Sequence, residues 1–348
     1  MTRIIEIIYR RKLNKRRIIK YLETKASQNF NTHKKMDEII VSCVQREIKL
    51  VSNVEEYIDM LEEFVLQAAE RKSSLVAFPE YNFFDLLGLL PGFKAVNRYL
   101  NSKAGTSGEE GSGKGNKLIH DIFYSLSKPI QEAIELIMCL LARKYGIYIY
   151  TGSYFIREGK SLYNGGSVIS PEGEILGTQM KLHLTDFEEQ LGLTRGRELK
   201  AFDLEIGRVC CPVCMDATYY ETFRLARNLG CDMVILPIAN NEEYNLYRAL
   251  RGIWPRVQES YVYGIKPSLN GWLFGMHFTG KAGIFAPVNL TKNKNGLIAI
   301  SRSHEGNNVI TAKLDIEALY ILRENDEYVG DINPRFEKDY YISTYKGG

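Results

Sequence analysis

The chain has 348 residues, 45% hydrophobic and 25% charged, ordinary globular proportions with enough apolar material for one large domain or two smaller ones. No apolar run approaches the roughly 18 residues of a membrane span, and the N-terminus alternates basic and apolar residues where a signal peptide would have an apolar core. Six cysteines (Cys43, Cys139, Cys210, Cys211, Cys214, Cys231) are too few and too unevenly spaced for a secreted disulfide framework, so a soluble protein of a reducing, cytoplasmic compartment is expected.

The net charge of +3 conceals an asymmetry. Residues 1–35 hold eleven Lys and Arg against Glu6 and Glu23, or +9, whereas the rest holds 34 Lys and Arg against 40 Asp and Glu, or −6. In this basic arm Ile4, Ile7, Ile8, Ile18, Ile19 and Leu22 recur at helical intervals, which predicts an amphipathic helical extension lying on its own domain or on a neighbouring subunit. An anionic surface is the alternative partner. With few aromatic residues among the basic ones, chiefly Tyr9 and Tyr21, nucleic acid is not expected.

From Ile39 the chain alternates strands and helices, and residues 36–348 are read as one domain. "IIVSCVQRE" (39–47) is apolar and β-branched, a buried strand, and 54–72 carries Val54, Ile58, Leu61, Val65 and Ala69 on one helical face. "SLVAFPE" (74–80) is a second buried strand stopped by Pro79, which has no N–H for a sheet ladder. Residues 101–116, "NSKAGTSGEEGSGKGN", have the composition of a flexible loop and lack the spacing of a phosphate-binding loop. A helix over about 128–144 and a strand over 147–155 follow, then a hairpin over 161–184 turning at "SPEG". Strand "RVCCPV", helix "YYETFRLARNLG" and strand "DMVILPI" repeat the rhythm, and "AGIFAPVNLTKN" with "GLIAISRS" reads as a late hairpin. This is the pattern of an α/β layered fold.

Three chemically competent side chains fall just past buried strands: Glu80 after "LVAFP", Lys181 in "GTQMKLHL" and Cys214 after "RVCCPV". The carboxyl ends of strands are where α/β folds collect their sites. A metal is not expected at "CCPVC", because a structural zinc needs four ligands and neither Cys231 nor the five scattered histidines complete the set. Period-two geometry points Cys210 and Cys211 to opposite faces, as core residues.

The segments "LVAFPEYNFFD", "MKLHL" and "CMDATYYETFRLA" resemble, in order and spacing, the signature segments of the nitrilase (carbon–nitrogen hydrolase) superfamily, in its Glu-Lys-Cys amidase branch. The resemblance runs from about Ile39 to about Ser303 and includes Asp216, Glu221 and Arg224 after Cys214. It implies an α-β-β-α sandwich and assembly as a homodimer or larger homo-oligomer, with the basic arm as a candidate clasp. It also implies a catalytic set of Cys214 as nucleophile, Glu80 as general base and acid, and Lys181 with the backbone N–H of Met215 as oxyanion donors. "FEEQLGLTRGREL" resembles the region of the family's second glutamate, which maps best to Glu189, beside Glu188. Tyr81, Tyr219 and Asn240 are the implied substrate contacts, and no cofactor is required.

The implied substrate is a small amide, carbamoyl compound or nitrile, cleaved with release of ammonia or an amine. Nitrile hydrolysis and amide-forming acyl transfer share the same triad, and a non-catalytic scaffold that retains the fold is the alternative of another class. Glu242 and Glu243 in "NNEEY" suggest a cationic substrate. Two residues depart from the family's pattern: Pro212, inside the strand that delivers Cys214, and Tyr220, where a proline commonly precedes the glutamate.

Overall fold

A computed structural model describes residues 2–25, 39–103, 113–326, 333 and 335–341. In the first sheet β1 (Ile39–Glu47), β2 (Leu75–Ala77) and β3 (Tyr148–Tyr150) run parallel. β4 (Tyr154–Glu158) follows β3 in the chain but is separated from it in the sheet by β5 (Ser161–Ile169), which pairs antiparallel with both and with β6 (Ile175–Met180). The second sheet starts with β7 (Ala201–Leu204), β8 (Gly207–Cys210), β9 (Met233–Ile235) and β10 (Tyr263–Lys266). The chain then returns to the first sheet as β11 (Ser268–Leu273) and β12 (Met276–Phe278), crosses again as β13 (Gly283–Phe285) and β14 (Leu297–Ile300), and ends beside β1 as β15 (Asn308–Leu314).

Side-chain alternation along these strands builds three packed layers. Val41, Cys43, Leu75 and Ala77 face Val209, Cys211, Met233 and Ile235 between the sheets. The opposite set of the first sheet, with Val76 and Ile149, packs on the helices Val54–Glu70 and Gly113–Tyr145. That of the second, with Cys210 and Val234, packs on Tyr220–Asn228 and Trp254–Ser260. Each large aliphatic residue so buried contributes about 1.5–3 kcal/mol. The result is the α-β-β-α sandwich, with Cys210 and Cys211 in the core on opposite faces of their sheet.

The basic arm forms two helices, Thr2–Lys12 and Lys15–Thr24. Tyr9, Leu13, Ile18 and Leu22 bury it against the first core, with the Tyr9 hydroxyl donating to the Leu86 carbonyl at 2.8 Å, whereas Ile4 and Ile7 of the expected stripe are 63% and 53% exposed. Residues 26–35 and most of the expected loop, 104–112, lie outside the described residues. The helix expected from about 128 begins at Gly113 and runs through Pro129. Proline reads as a helix start because it lacks an N–H, yet here tertiary packing of Phe123, Leu126 and Ile130 carries the helix across it.

The strand expected over 147–155 is broken in two at Thr151–Ser153. Gly152 has φ +72°, and a Cβ there would come within 2.2 Å of the Pro79 carbonyl oxygen, so only glycine lets this segment pass under the turn after β2. The break frees backbone groups for that turn: the Ser153 N–H donates to Pro79 at 3.2 Å and the Asn82 N–H to the Ser153 carbonyl at 2.8 Å. From the other side the buried Arg46 guanidinium donates to Asn82 and pairs with Asp85, and Tyr57 donates to the Asn82 carbonyl at 2.7 Å.

Candidate active site

Each of the three strand-end residues is delivered by a different device. Glu80 sits in the clamped turn after β2, followed by Tyr81 at φ +52°. Lys181 lies one residue past β6, its N–H donating to the Asn164 carbonyl of β5 at 2.8 Å. Cys214 begins a short 3-10 turn with φ +45°, a left-handed conformation that costs a non-glycine residue energy and is typical of functional sites. The ladder between β8 and β9 stops at Cys210, so Pro212 lies in an unpaired stretch where its missing N–H costs nothing. The Cys214 N–H then bonds the Pro237 carbonyl at 3.0 Å.

Asp216 locks two of these devices together. Its buried carboxylate accepts the N–H of Val213 at 2.8 Å, and across the site those of Leu182 at 3.0 Å and His183 at 2.7 Å. The segment carrying Lys181 is therefore held to the cysteine turn by backbone donors. Tyr220 opens the helix Tyr220–Asn228 from an exposed position, and the proline of the family pattern is not needed for that helix to form.

The three side chains meet. Lys181 Nζ donates to Glu80 Oε1 at 2.8 Å, and the Cys214 thiol lies near enough to the Glu80 carboxylate for each to shift the other's protonation. Burial raises the Glu80 carboxyl above the usual range; Lys181 opposes this and the neighbouring Glu188 adds to it. Burial and the Glu80 charge push the Cys214 thiol well above its ordinary value. Burial disfavours the Lys181 charge, but Glu80, Cys214 and Glu188 outweigh it and hold the ammonium above the usual lysine range. The resting site is thus a thiol facing a carboxylate, poised for proton transfer.

Of the two adjacent glutamates, the fold turns Glu188 toward Lys181 and Glu189 away from it. Glu188 is fully buried and accepts five bonds: from Lys181 Nζ at 2.7 Å, the Tyr81 hydroxyl at 2.7 Å, Asn164 Nδ2 at 2.8 Å, and the N–H and hydroxyl of Thr185 at 2.9 and 3.1 Å. Against the effect of burial, Lys181 and these donors hold its carboxyl below the usual range. Glu189 points outward to Arg195 with its side chain 45% exposed. The reason is local: "TDFE" is a capping box, in which Thr185 caps the helix Asp186–Gln190 and the N3 glutamate folds back on it. That four-residue signal was present in the sequence and selects Glu188. Asn164, which bridges Glu188 and Glu80 (3.1 Å), carried no comparable signal.

A cavity of about 420 Å³ opens on Glu80, Lys181 and Cys214. Of the expected substrate contacts, Tyr81, Met215 and Asn240 line it, with Asn240 Oδ1 3.8 Å from Cys214 Sγ. Tyr219 does not; it is 44% exposed, with its ring against His183. Phe84 and Phe278 add apolar wall, and Arg248, Arg251 and Lys266 line it as well. Glu242 lies in the wall but is met by Arg251 at 3.3 Å and Arg248 at 3.8 Å, so the expected preference for a cationic substrate is not supported. All six cysteines are free, and among the described residues no cluster suited to a metal occurs and no helix is long and apolar enough to cross a membrane.

A thiol, a carboxylate and an ammonium thus come together at the carboxyl ends of strands in an α-β-β-α sandwich. The carbon–nitrogen hydrolase family model matches residues 40–259, and the chain belongs to that family, within the nitrilase superfamily. The chain is 24% identical over 318 residues to the probable hydrolase YhcX of Bacillus subtilis, covering 88% of this chain and 55% of that protein, so it spans about half the length of that relative. It is 26% identical over 233 residues to a citrullinase of Francisella tularensis, covering 65% of this chain and 70% of the other. Its fold matches a mutant amidase from Nesterenkonia sp. AN1, which carries the acetamide moiety of fluoroacetamide on its active-site cysteine, with a TM-score of 0.61 and 15% identity over 88% of this chain and 98% of that one.

Proposed function

We propose that the chain is a cysteine-dependent amidase that cleaves a small amide or carbamoyl compound through a thioester at Cys214. The observation that carries this reading is that one buried carboxylate, Glu80, paired with the Lys181 ammonium, shares the floor of a cavity with the Cys214 thiol. Glu80 takes the thiol proton as Sγ attacks the carbonyl carbon. The oxyanion is stabilised by Lys181 and the Met215 N–H, each such donor contributing about 2.7–4 kcal/mol. The carbon–nitrogen bond breaks as Glu80 returns the proton to the leaving nitrogen. Water, deprotonated by Glu80, then attacks the thioester, and the acid leaves as Cys214 recovers its proton. Glu188 takes the orienting role expected of Glu189, holding Lys181, Tyr81 and Asn164 from behind.

Ammonia release from a panel of amides, carbamoyl compounds and nitriles tests the reading. Turnover of an amide or carbamoyl compound is expected, and Cys214→Ala should lower it by at least about 10⁴-fold. Turnover of nitriles alone, or full activity in Cys214→Ala, would overturn it.

A further inference from the structure

The two helices of the basic arm lie on the outer helical layer of the first sheet, and their cations divide by what they reach. Arg10 pairs with Glu6 and Glu132, Arg17 with Glu55, and Lys25 with Asp59 and Glu62, while Lys12 donates to the Leu89 carbonyl at 2.7 Å. Arg3, Arg11, Lys15, Arg16 and Lys20 are exposed and meet no carboxylate among the described residues. Of the acids on these helices, Glu6 is held by Arg10, and Glu23 alone faces solvent. The inward charges are neutralised by the fold, and the outward ones are not.

Helical spacing places apolar side chains among these outward cations. On Thr2–Lys12, Ile4, Ile7 and Arg11 share one stripe at i, i+3 and i+7, with Arg3 beside it, on the side opposite the buried Tyr9. Ile4 is 63% exposed and Ile7 53%. On Lys15–Thr24, Arg16 and Lys20 stand four residues apart, away from the buried Ile18 and Leu22. The arm therefore has one apolar stripe against its domain and a second, of two isoleucines, turned outward between unpaired cations.

We propose that this outer face docks on an anionic lipid bilayer, with Arg3, Arg11, Lys15, Arg16 and Lys20 at the phosphate headgroups and Ile4 and Ile7 at the edge of the acyl chains. A bilayer interface receives both kinds of side chain, whereas a phosphodiester backbone has no place for the isoleucines. A single-stranded nucleic acid would call for stacking rings, and both aromatic residues of the two helices are engaged within the protein: Tyr9 is buried, and the Tyr21 hydroxyl donates to Asp59 at 2.8 Å. Outside residues 1–35 the chain carries −6, so an anionic surface attracts the arm and repels the body, which orients the molecule arm first. Two isoleucines insert little apolar area, so the binding is reversible and sensitive to salt. The inference is independent of the amidase reading.

Co-sedimentation of the full chain with vesicles tests this, comparing phosphatidylcholine alone with an equal mixture of phosphatidylcholine and phosphatidylserine. The wild type should bind the mixed vesicles at least about tenfold more tightly, and raising the ionic strength from about 0.05 to about 0.3 M should release it. Arg11→Gln, Lys15→Gln and Arg16→Gln together should weaken that binding by about tenfold or more, and Ile4→Ser with Ile7→Ser by about fivefold at unchanged charge. Equal binding to the two vesicles, or no binding to either, would overturn the proposal. An isoleucine variant that binds as tightly as the wild type overturns it in favour of a ligand read by charge alone. An oligomer that comes apart in that variant, seen by size-exclusion chromatography, assigns the face to a second copy instead. All these side chains are exposed, so melting temperatures should stay within about 2 °C of the wild type, and single substitutions replace any combined variant that melts lower.

Discussion

Lys181 and Lys266 are both buried and both line one cavity, yet the fold treats them oppositely. Lys181 is held between Glu80 and Glu188 at 2.8 and 2.7 Å, and its ammonium is held above the ordinary lysine range. Lys266 has a backbone carbonyl and an aromatic ring, and falls to about 8. The first charge is neutralised within the protein, which fixes its geometry for chemistry. The second meets no carboxylate among the described residues.

Exchanging each lysine for methionine breaks this comparison most sharply. Lys181→Met leaves two carboxylates buried without their cation and should destabilise the fold by about 3–5 kcal/mol in denaturant titration. Lys266→Met removes an unpaired buried charge, and its stability at pH 7 should equal or exceed that of the wild type. A large loss in Lys266→Met would mean that its ammonium is already satisfied.

The second effect is a pH dependence. The folded value for Lys266 is about 8 and the ordinary value is 10.5, so between these the unfolded chain binds the proton that the folded chain has released. Its contribution to stability is therefore present above 10.5 and lost as pH falls through 8, a change of about 3 kcal/mol. The stability of the wild type relative to Lys266→Met should rise by that amount from pH 8 to 10.5, and a flat difference would show that Lys266 titrates normally.

The smallest effect sharpens the carboxylate side. Glu188→Gln should lower kcat by about 10²-fold, because Lys181 loses the partner that aims it. Glu189→Gln, which disturbs only the exposed pair with Arg195, should leave kcat unchanged. The reverse order would restore Glu189 to the site.

The sequence made Glu80, Lys181 and Cys214 legible because each lies at a strand end marked by local pattern: an apolar run, a proline stop, a polar break. The same local logic failed where the answer lay in long-range packing. It began the helix near Pro129, although the core contacts of Phe123 and Leu126 extend it back to Gly113. It continued one strand through Gly152, where the turn carrying Glu80 forces a break. It offered Tyr219 to the pocket, although the 3-10 turn after Cys214 leaves that ring outside. The choice between Glu188 and Glu189 was available locally in the capping box "TDFE".

By itself the sequence determined the layered α/β class, the apolar faces of its strands, and which residues had the chemistry for a site, since side-chain type and period-two or helical spacing are properties of short stretches. Only the tertiary structure decided the partnerships. Lys181 and Glu80 are 101 residues apart in the chain, and what distinguishes the two buried lysines is the carboxylate charge that distant segments bring within 3 Å of Lys181 and not of Lys266. Electrostatic energy depends on separation in space and on burial, and neither is written in the order of the residues.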